Sequence, residues 1–251
     1  MRINLEPAFV LHSRPYRETS VLLDLFTHEH GRISVIAKGV RSKRSRLKSL
    51  LQPFVPLLIS WQGKGELGTL TGAEGQGYYN NLNGECLLSG LYLNELLMRV
   101  LHKFDPQPGL YTIYQKTLLE LQGEGLQKTL RLFEKKLLEE IGYGLQLLYA
   151  QPAGTIIDAD HYYHFHPEHG FEYYGELNKT AGAVFSGKSL LAIAADQLDD
   201  ETVQRDCKRL MRLALAPLLG KNPLQSRKLY LHRTMNKDEQ TENNVDEVDP
   251  A

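Results

Sequence analysis

The apolar residues of this 251-residue chain change their spacing once, near residue 80, and that change limits the fold more than any single motif. Before it, short runs alternate apolar and polar residues, as half-buried strands do. After it, apolar residues recur every three or four positions, as on helices with one buried face. Strands first and helices second make an α+β chain of more than one domain.

Five strands are expected in the first 75 residues, at 8–12, 20–27, 32–38, 54–61 and 66–71. Gly31 closes the turn after the second, and 62–65, Gln-Gly-Lys-Gly, reads as a hairpin turn between the last two. Five short strands suit a small barrel better than a sandwich, which needs more. Residues 45–52 read as one or two helical turns stopped by Pro53, an excursion expected of an OB-type five-stranded Greek-key barrel.

Helices are then expected at 84–103, 110–122 and 126–141, with Leu126, Leu130, Phe133, Leu137 and Ile141 on one face of the third. Residues 151–175, broken by Pro152, Gly154, Pro167, Gly170 and Gly175, read as an irregular or β-like insertion. Helical spacing returns at 189–195 and 200–219, where Pro217 should end or kink the last helix. The expected domains are an OB-fold nucleic-acid-binding domain at 1–80, a helical domain at 81–235 with an insertion at about 151–180, and a disordered acidic tail at 236–251.

Charge follows the same division. Residues 1–80 hold eleven Lys/Arg against six Asp/Glu, while 236–251 hold one against six, although the whole chain sums to -1. The first segment is therefore the part suited to a polyanion. Apolar residues make up 42% and charged residues 24%, which excludes wholesale disorder. The longest apolar run, 190–195, is too short for a spanning helix, and the first residues do not read as a signal peptide, so a soluble cytoplasmic protein with no membrane partner is expected. Cys86 and Cys207 are too few for a disulfide scaffold or a four-cysteine zinc site and read as two buried small hydrophobes.

The sharpest local feature is 38–48, which packs Lys38, Arg41, Lys43, Arg44, Arg46 and Lys48 into eleven residues with no acid between Glu29 and Glu66. Such cations neutralise phosphates and release counterions. Arg14, Tyr16 and Arg17 add a turn where an aromatic ring lies between two arginines, a stacking candidate; Phe54 and Trp61 read as core. A second cluster, His161, His164, His166 and His169, would put His164 and His166 on one strand face, where a metal is conceivable, but the expected reading is an exposed histidine-rich hairpin with no metal and no cofactor. No phosphate loop, GxSxG or HExxH occurs, and Asp158 with Asp160 reads as loop chemistry rather than an acid–base pair. A binding protein, not an enzyme, is expected.

An ordered set of segments then carries a resemblance. Ala8-Phe-Val-Leu-His-Ser-Arg-Pro-Tyr-Arg-Glu-Thr-Ser20 is followed by Leu25-Phe-Thr27, Gly31-Arg32, Ala37-Lys-Gly39, Leu51-Gln-Pro-Phe54 and Gly65-Glu-Leu-Gly68. Ser89-Gly-Leu-Tyr-Leu-Asn-Glu-Leu-Leu97, Arg131-Leu-Phe-Glu134, Gly142-Tyr-Gly144 and Pro223-Leu-Gln-Ser-Arg227 continue it. Across roughly residues 5–230 the chain resembles the RecO family of bacterial recombination mediators. The resemblance implies an N-terminal OB domain and a helical C-terminal domain. It also implies binding to single- and double-stranded DNA, annealing of complementary strands, contact with the tail of single-stranded-DNA-binding protein, and loading of RecA together with RecR, in the bacterial nucleoid. Many members carry a four-cysteine zinc motif in the insertion; this sequence has none there. The acidic tail of the single-strand-binding partner would want an apolar pocket with a cation at its rim, and Arg99, Lys103, Lys128, Arg131 and Lys135 are the candidates, with Arg131 preferred. Two other readings stand beside this one: a general single-stranded DNA- or RNA-binding OB module with an interaction domain, and a metal-dependent enzyme built on the histidines. The acidic tail could also compete with DNA for the basic loop.

Overall fold

A computed structural model describes residues 2–63, 65–77, 81–152, 154–175 and 182–229. The tail at 236–251 lies outside them, as does the end of the insertion at 176–180. The chain divides into two compact units, Met1–Pro106 with Lys221–Ala251, and Gln107–Gly220.

The first unit is built on β1 (Arg2–Tyr16), β2 (Ser20–Thr27), β3 (Gly31–Ala37), β4 (Leu57–Gln62) and β5 (Leu67–Gly75), closed into a barrel in the order β1-β2-β3-β5-β4. Only β3 and β5 run parallel, which is the OB arrangement, and the short α1 (Leu47–Leu50) falls between β3 and β4. Alternate residues fill the interior: Ala8 and Val10, Leu23 and Leu25, Ile33 and Val35, Leu57, Ile59 and Trp61. The strand β1 is far longer than its 8–12 apolar run because it serves two neighbours. Its first half pairs with β4 and its second with β2, and register shifts between Ile3 and Glu6 and between Val10 and His12 break the alternation that would have revealed it.

The helix α2 (Gly84–Val100) packs on β1, where the Asn94 side-chain amide donates to the carbonyls of Val10 (3.4 Å) and Leu11 (3.0 Å). A Cβ at Gly90 would lie 2.8 Å from the buried Phe54 ring, so the helix approaches as closely as only glycine allows. It ends at Val100, short of the expected 103, because the chain turns back and the Phe104 amide donates to the Arg32 carbonyl at 3.0 Å. Gly31 makes that crossing possible: its φ is +63°, and a Cβ there would sit 2.0 Å from the Asp105 carbonyl oxygen. Residues 221–229 return to this unit. Leu224 is buried, Glu95 accepts from the amides of Gln225 and Ser226 and from the Ser226 hydroxyl, and Arg99 donates to the carbonyls of Asn222 and Pro223.

The second unit holds α3 (Pro108–Glu120), α4 (Leu126–Glu140), α5 (Gly187–Ala194) and α6 (Glu201–Leu219). Tyr114 of α3 meets Phe133 of α4 edge-on, with ring centroids 6.4 Å apart. The carboxylate of Asp200 caps α6 by accepting from the amides of Thr202 (2.8 Å) and Val203 (3.1 Å), bonds that lower its pKa. The helix runs through Pro217 to Leu219 rather than stopping there.

The insertion is more regular than its sequence suggests. Strands β6 (Tyr149–Gln151), β7 (Thr155–Ile156), β8 (Tyr162–His166), β9 (Gly170–Gly175) and β10 (Val184–Ser186) form a sheet in the order β10-β8-β9-β6-β7. Its inner side is aromatic: Phe165 and Phe171 lie 5.1 Å apart, Phe171 and Phe185 6.5 Å, and the Arg209 guanidinium covers Phe185 at 4.3 Å. Among the described residues no helix is long and apolar enough to cross a membrane.

Candidate nucleic-acid interface

The barrel brings the two basic segments of the sequence to one place. The β1–β2 hairpin pairs Pro15 with Val21 and Tyr16 with Ser20, and β3 ends with Ala37 opposite that same Val21. The loop after β3 therefore starts beside the hairpin. Buried Val40 pins it to the barrel core, and the Arg41 amide donates to the Thr19 carbonyl at 2.8 Å. The Arg41 guanidinium then donates to the Arg17 carbonyl at 3.2 Å. Two successive turns follow, Ser42 N–H to Gly39 O and Ser45 N–H to Ser42 O, before Leu47, Leu50 and Leu51 return to the core. The loop is a docked ledge, not a free strand of chain.

Arg14, Arg17, Lys38, Arg41, Lys43, Arg44, Arg46 and Lys48 are all exposed on this ledge and hairpin, and Tyr16 is half-buried under Arg17, whose guanidinium carbon lies 5.3 Å from its ring centroid. Among the described residues none of these eight cations forms an ion pair. The barrel wall beside them is closed. Leu22, Asp24 and Phe26 on the outward side of β2 are buried, Asp24 accepting a 2.7 Å bond from the Ser34 hydroxyl, and so are Phe54 and Trp61. The arrangement offers backbone phosphates a row of charges and leaves one ring, Tyr16, for stacking. That the strand face is covered could not be read from β2 itself, whose alternation is hidden by eight consecutive buried residues.

The five helical-region cations differ in kind, because each is already paired. Arg99 bridges to Glu95 at 2.8 Å while holding the 222–223 carbonyls, and Lys103 reaches Glu66 at 3.4 Å; both are in the first unit. In the second, Lys128 pairs with Asp199 at 2.6 Å. Lys135 closes the end of α5, donating to the carbonyls of Ile193 and Ala194 and to Asp196. Arg131 is buried with Glu134, its side chain 9% exposed and the pair 2.9 Å apart. Cys207 lies in the same field, its thiol pushed up to about 12 by burial first and by Glu134 second.

The strand places His164 and His166 on one side of β8, with Nδ1 of the first 2.9 Å from Nε2 of the second. His169 lies 6.1 Å from His166 between ring centroids, and His161 packs edge-on against Tyr173. No three His, Cys, Asp or Glu side chains among the described residues are placed to hold a metal ion. The Asp158 carboxylate accepts from the Asp160 amide at 2.8 Å, a turn bond.

A five-stranded OB-type barrel with a cationic rim, continued by a helical domain, places the chain in the class of OB-barrel proteins with a polyanion-suited surface. Comparison with known proteins narrows the class. Residues 1–79 match the family model described as Recombination protein O N terminal, and residues 82–228 match Recombination protein O C terminal. Relatives named DNA repair protein RecO are similar over nearly their whole length. One from Coxiella burnetii is 46% identical over 91% of this chain and 98% of its own. Others are from Haemophilus influenzae, 46% identical over 92% and 97%, and Nitrosococcus oceani, 46% over 91% and 93%. The chain belongs to the RecO family of DNA repair proteins.

Proposed function

We propose that this protein is a DNA-binding recombination mediator. It binds single- and double-stranded DNA on the ledge of the barrel and anneals complementary strands. With RecR it helps load RecA onto DNA coated by single-stranded-DNA-binding protein, whose acidic tail the helical region would contact. The observation that carries this reading is the clustering: eight exposed cations, none in an ion pair among the described residues, gather at one end of the barrel. Annealing needs no catalytic group. It needs charge that screens two phosphate backbones and leaves base edges free.

The test is a salt series on a labelled single-stranded oligonucleotide, with annealing to its complement followed in the same samples. If about six phosphates are neutralised, log affinity falls with log salt at a slope of roughly -4. Reversing Lys43 and Arg44 to Glu should weaken binding and slow annealing with the circular dichroism unchanged. Unaltered affinity in that variant would remove the ledge as the DNA site. A preference for RNA with no annealing would favour a general single-strand-binding module instead.

A further inference from the structure

Charge sets one residue of the β1–β2 hairpin apart. Of the three acids between residues 7 and 48, Asp24 is buried against Ser34, and Glu29 pairs with His28 at the far end of β2. The third, Glu18, stands on the hairpin, exposed among the eight exposed cations. It forms no ion pair among the described residues. Two guanidinium groups beside it are engaged elsewhere: that of Arg17 lies over the Tyr16 ring, and that of Arg41 bonds to the Arg17 carbonyl.

The turn holds Glu18 in place. Tyr16 opposite Ser20 is the last pair of the hairpin, so residues 17–19 make the turn. Both carbonyls that flank Glu18 accept from Arg41: that of Arg17 from the guanidinium at 3.2 Å, and that of Thr19 from the amide at 2.8 Å. Arg17 has a φ of +53°, in the left-handed region that non-glycine residues adopt only at a cost in energy. The backbone that carries Glu18 is therefore tied on both sides and kept in a strained conformation. An acid that served only to solvate the surface would need neither.

A fixed carboxylate on a cationic surface acts on a single strand in two ways. It repels phosphates, so the sugar–phosphate backbone follows the ledge and the bases lie toward the hairpin, where Tyr16 offers its ring. It is also an acceptor only, so it bonds an exocyclic amino group and is repelled by a carbonyl oxygen. Cytosine presents an amino group where thymine presents a carbonyl oxygen. That amino group has two hydrogens, one for the pairing edge and one for the major-groove edge, so a contact to the second leaves the base free to meet its complement. We propose that Glu18 is a specificity-determining residue of the DNA site, selecting amino-bearing bases of a single strand over thymine. The inference rests on the reading of the ledge as a DNA site and adds to it which way the strand lies and which bases it favours.

Fluorescence anisotropy of the full chain with oligo(dC) and oligo(dT) of equal length, at neutral pH over a salt series, tests it. The native chain should bind oligo(dC) about fivefold more tightly than oligo(dT). Glu18→Gln keeps the size and removes the charge, and should bring that ratio to about one, chiefly by tightening oligo(dT). Glu18→Asp keeps the charge and should retain a preference for oligo(dC). Thermal midpoints should match the native chain in both variants, because the exposed side chain has no ion pair to lose. Equal affinity of the native chain for the two oligonucleotides overturns the proposal. So does a Glu18→Gln variant that tightens both alike, which is the mark of charge without base selection. Steep salt dependence in either case leaves the ledge standing as the DNA site. Salt-insensitive binding of both oligonucleotides removes the ledge, and this inference with it.

Discussion

Arg41 and Lys43 are two residues apart on the same ledge, both exposed, yet their surroundings assign them different work. Lys43 has only its charge to give. Arg41 ties the ledge to the hairpin through the Arg17 carbonyl, so its removal loosens the cations on both. Lys43→Ala should therefore cost one phosphate contact, lowering the salt slope by about 0.7 on single strands. Arg41→Ala should cost more affinity than that, and Arg41→Lys should recover the charge without the fork. Binding titrations of the three variants at several salt concentrations check the order. Arg131 makes the same point in reverse. It reads from sequence as a rim cation, but its side chain is buried against Glu134, which is itself 1% exposed. Arg131→Ala would remove the guanidinium paired with that buried carboxylate and should destabilise the protein by about 3–5 kcal/mol, whereas Arg131→Met with Glu134→Leu should be much closer to wild type. Urea unfolding distinguishes them, and the double variant then tests contact with an acidic tail free of any folding defect.

Elements carry the second scale, and the segment 221–229 is attached in part through a titratable carboxylate, Glu95, beside the Arg99 bonds and buried Leu224. Burial alone would raise the pKa of Glu95, but the Ser226 and Gln225 amides, the Ser226 hydroxyl and the Arg99 guanidinium together hold it below the usual glutamate value. A depressed carboxylate contributes stability that is present above its unfolded pKa and lost as pH falls through the folded one. The attachment should be full at neutral pH and weaken as pH falls through the lowered Glu95 value, and at a higher pH in Arg99→Ala; hydrogen exchange or limited proteolysis at stepped pH reads this. Legibility in the sequence follows the same physics. Helices α4 and α6 were readable within a residue because one face of each is buried, and Pro217 misled only in suggesting a stop, since the helix continues two residues beyond it. Five barrel strands were countable, but β1 was underestimated at both ends because its bulges reset the alternation. The insertion was legible as irregular or β-like, with a histidine-rich hairpin, but its five strands and their order were not, because strands of two to six residues are too short to show a period and two of its neighbours pair across some twenty residues of sequence. For the site, a run of like charges was visible in the sequence, whereas the Arg41–Arg17 tie, the closed wall of β2 and the burial of Arg131 depend on contacts distant in sequence.

At the scale of the whole molecule, the change of apolar spacing near residue 80 and the packing boundary are different places. The two family models meet at 79 and 82, yet the barrel's compact unit runs to Pro106 and takes in Lys221 onward. The barrel unit is thus discontinuous in sequence, and its stability should depend on residues at the far end of the chain. Trp61 makes this measurable, because it is the sole tryptophan and is 2% exposed in the barrel core, so its fluorescence reports that unit alone. A chain ending at Leu229 keeps Leu224 and the Glu95 and Arg99 bonds; a chain ending at Gly220 loses them. Burial of one leucine is worth about 2 kcal/mol, and such a loss lowers the midpoint of a unit this size by roughly 10 °C. The Trp61 transition should fall by that amount in the shorter chain and stay in place in the longer one, while far-ultraviolet dichroism of the helical unit moves little in either. The chain ending at Leu229 also lacks the -5 charge of residues 236–251. If that segment competes for the ledge, this chain should bind an oligonucleotide more tightly than the full one at low salt and equally at high salt, where the competing charges are screened. Equal binding at both would mean that the acidic residues leave the ledge alone, and the ledge's unpaired cations would then be open to DNA in the full chain without any release step.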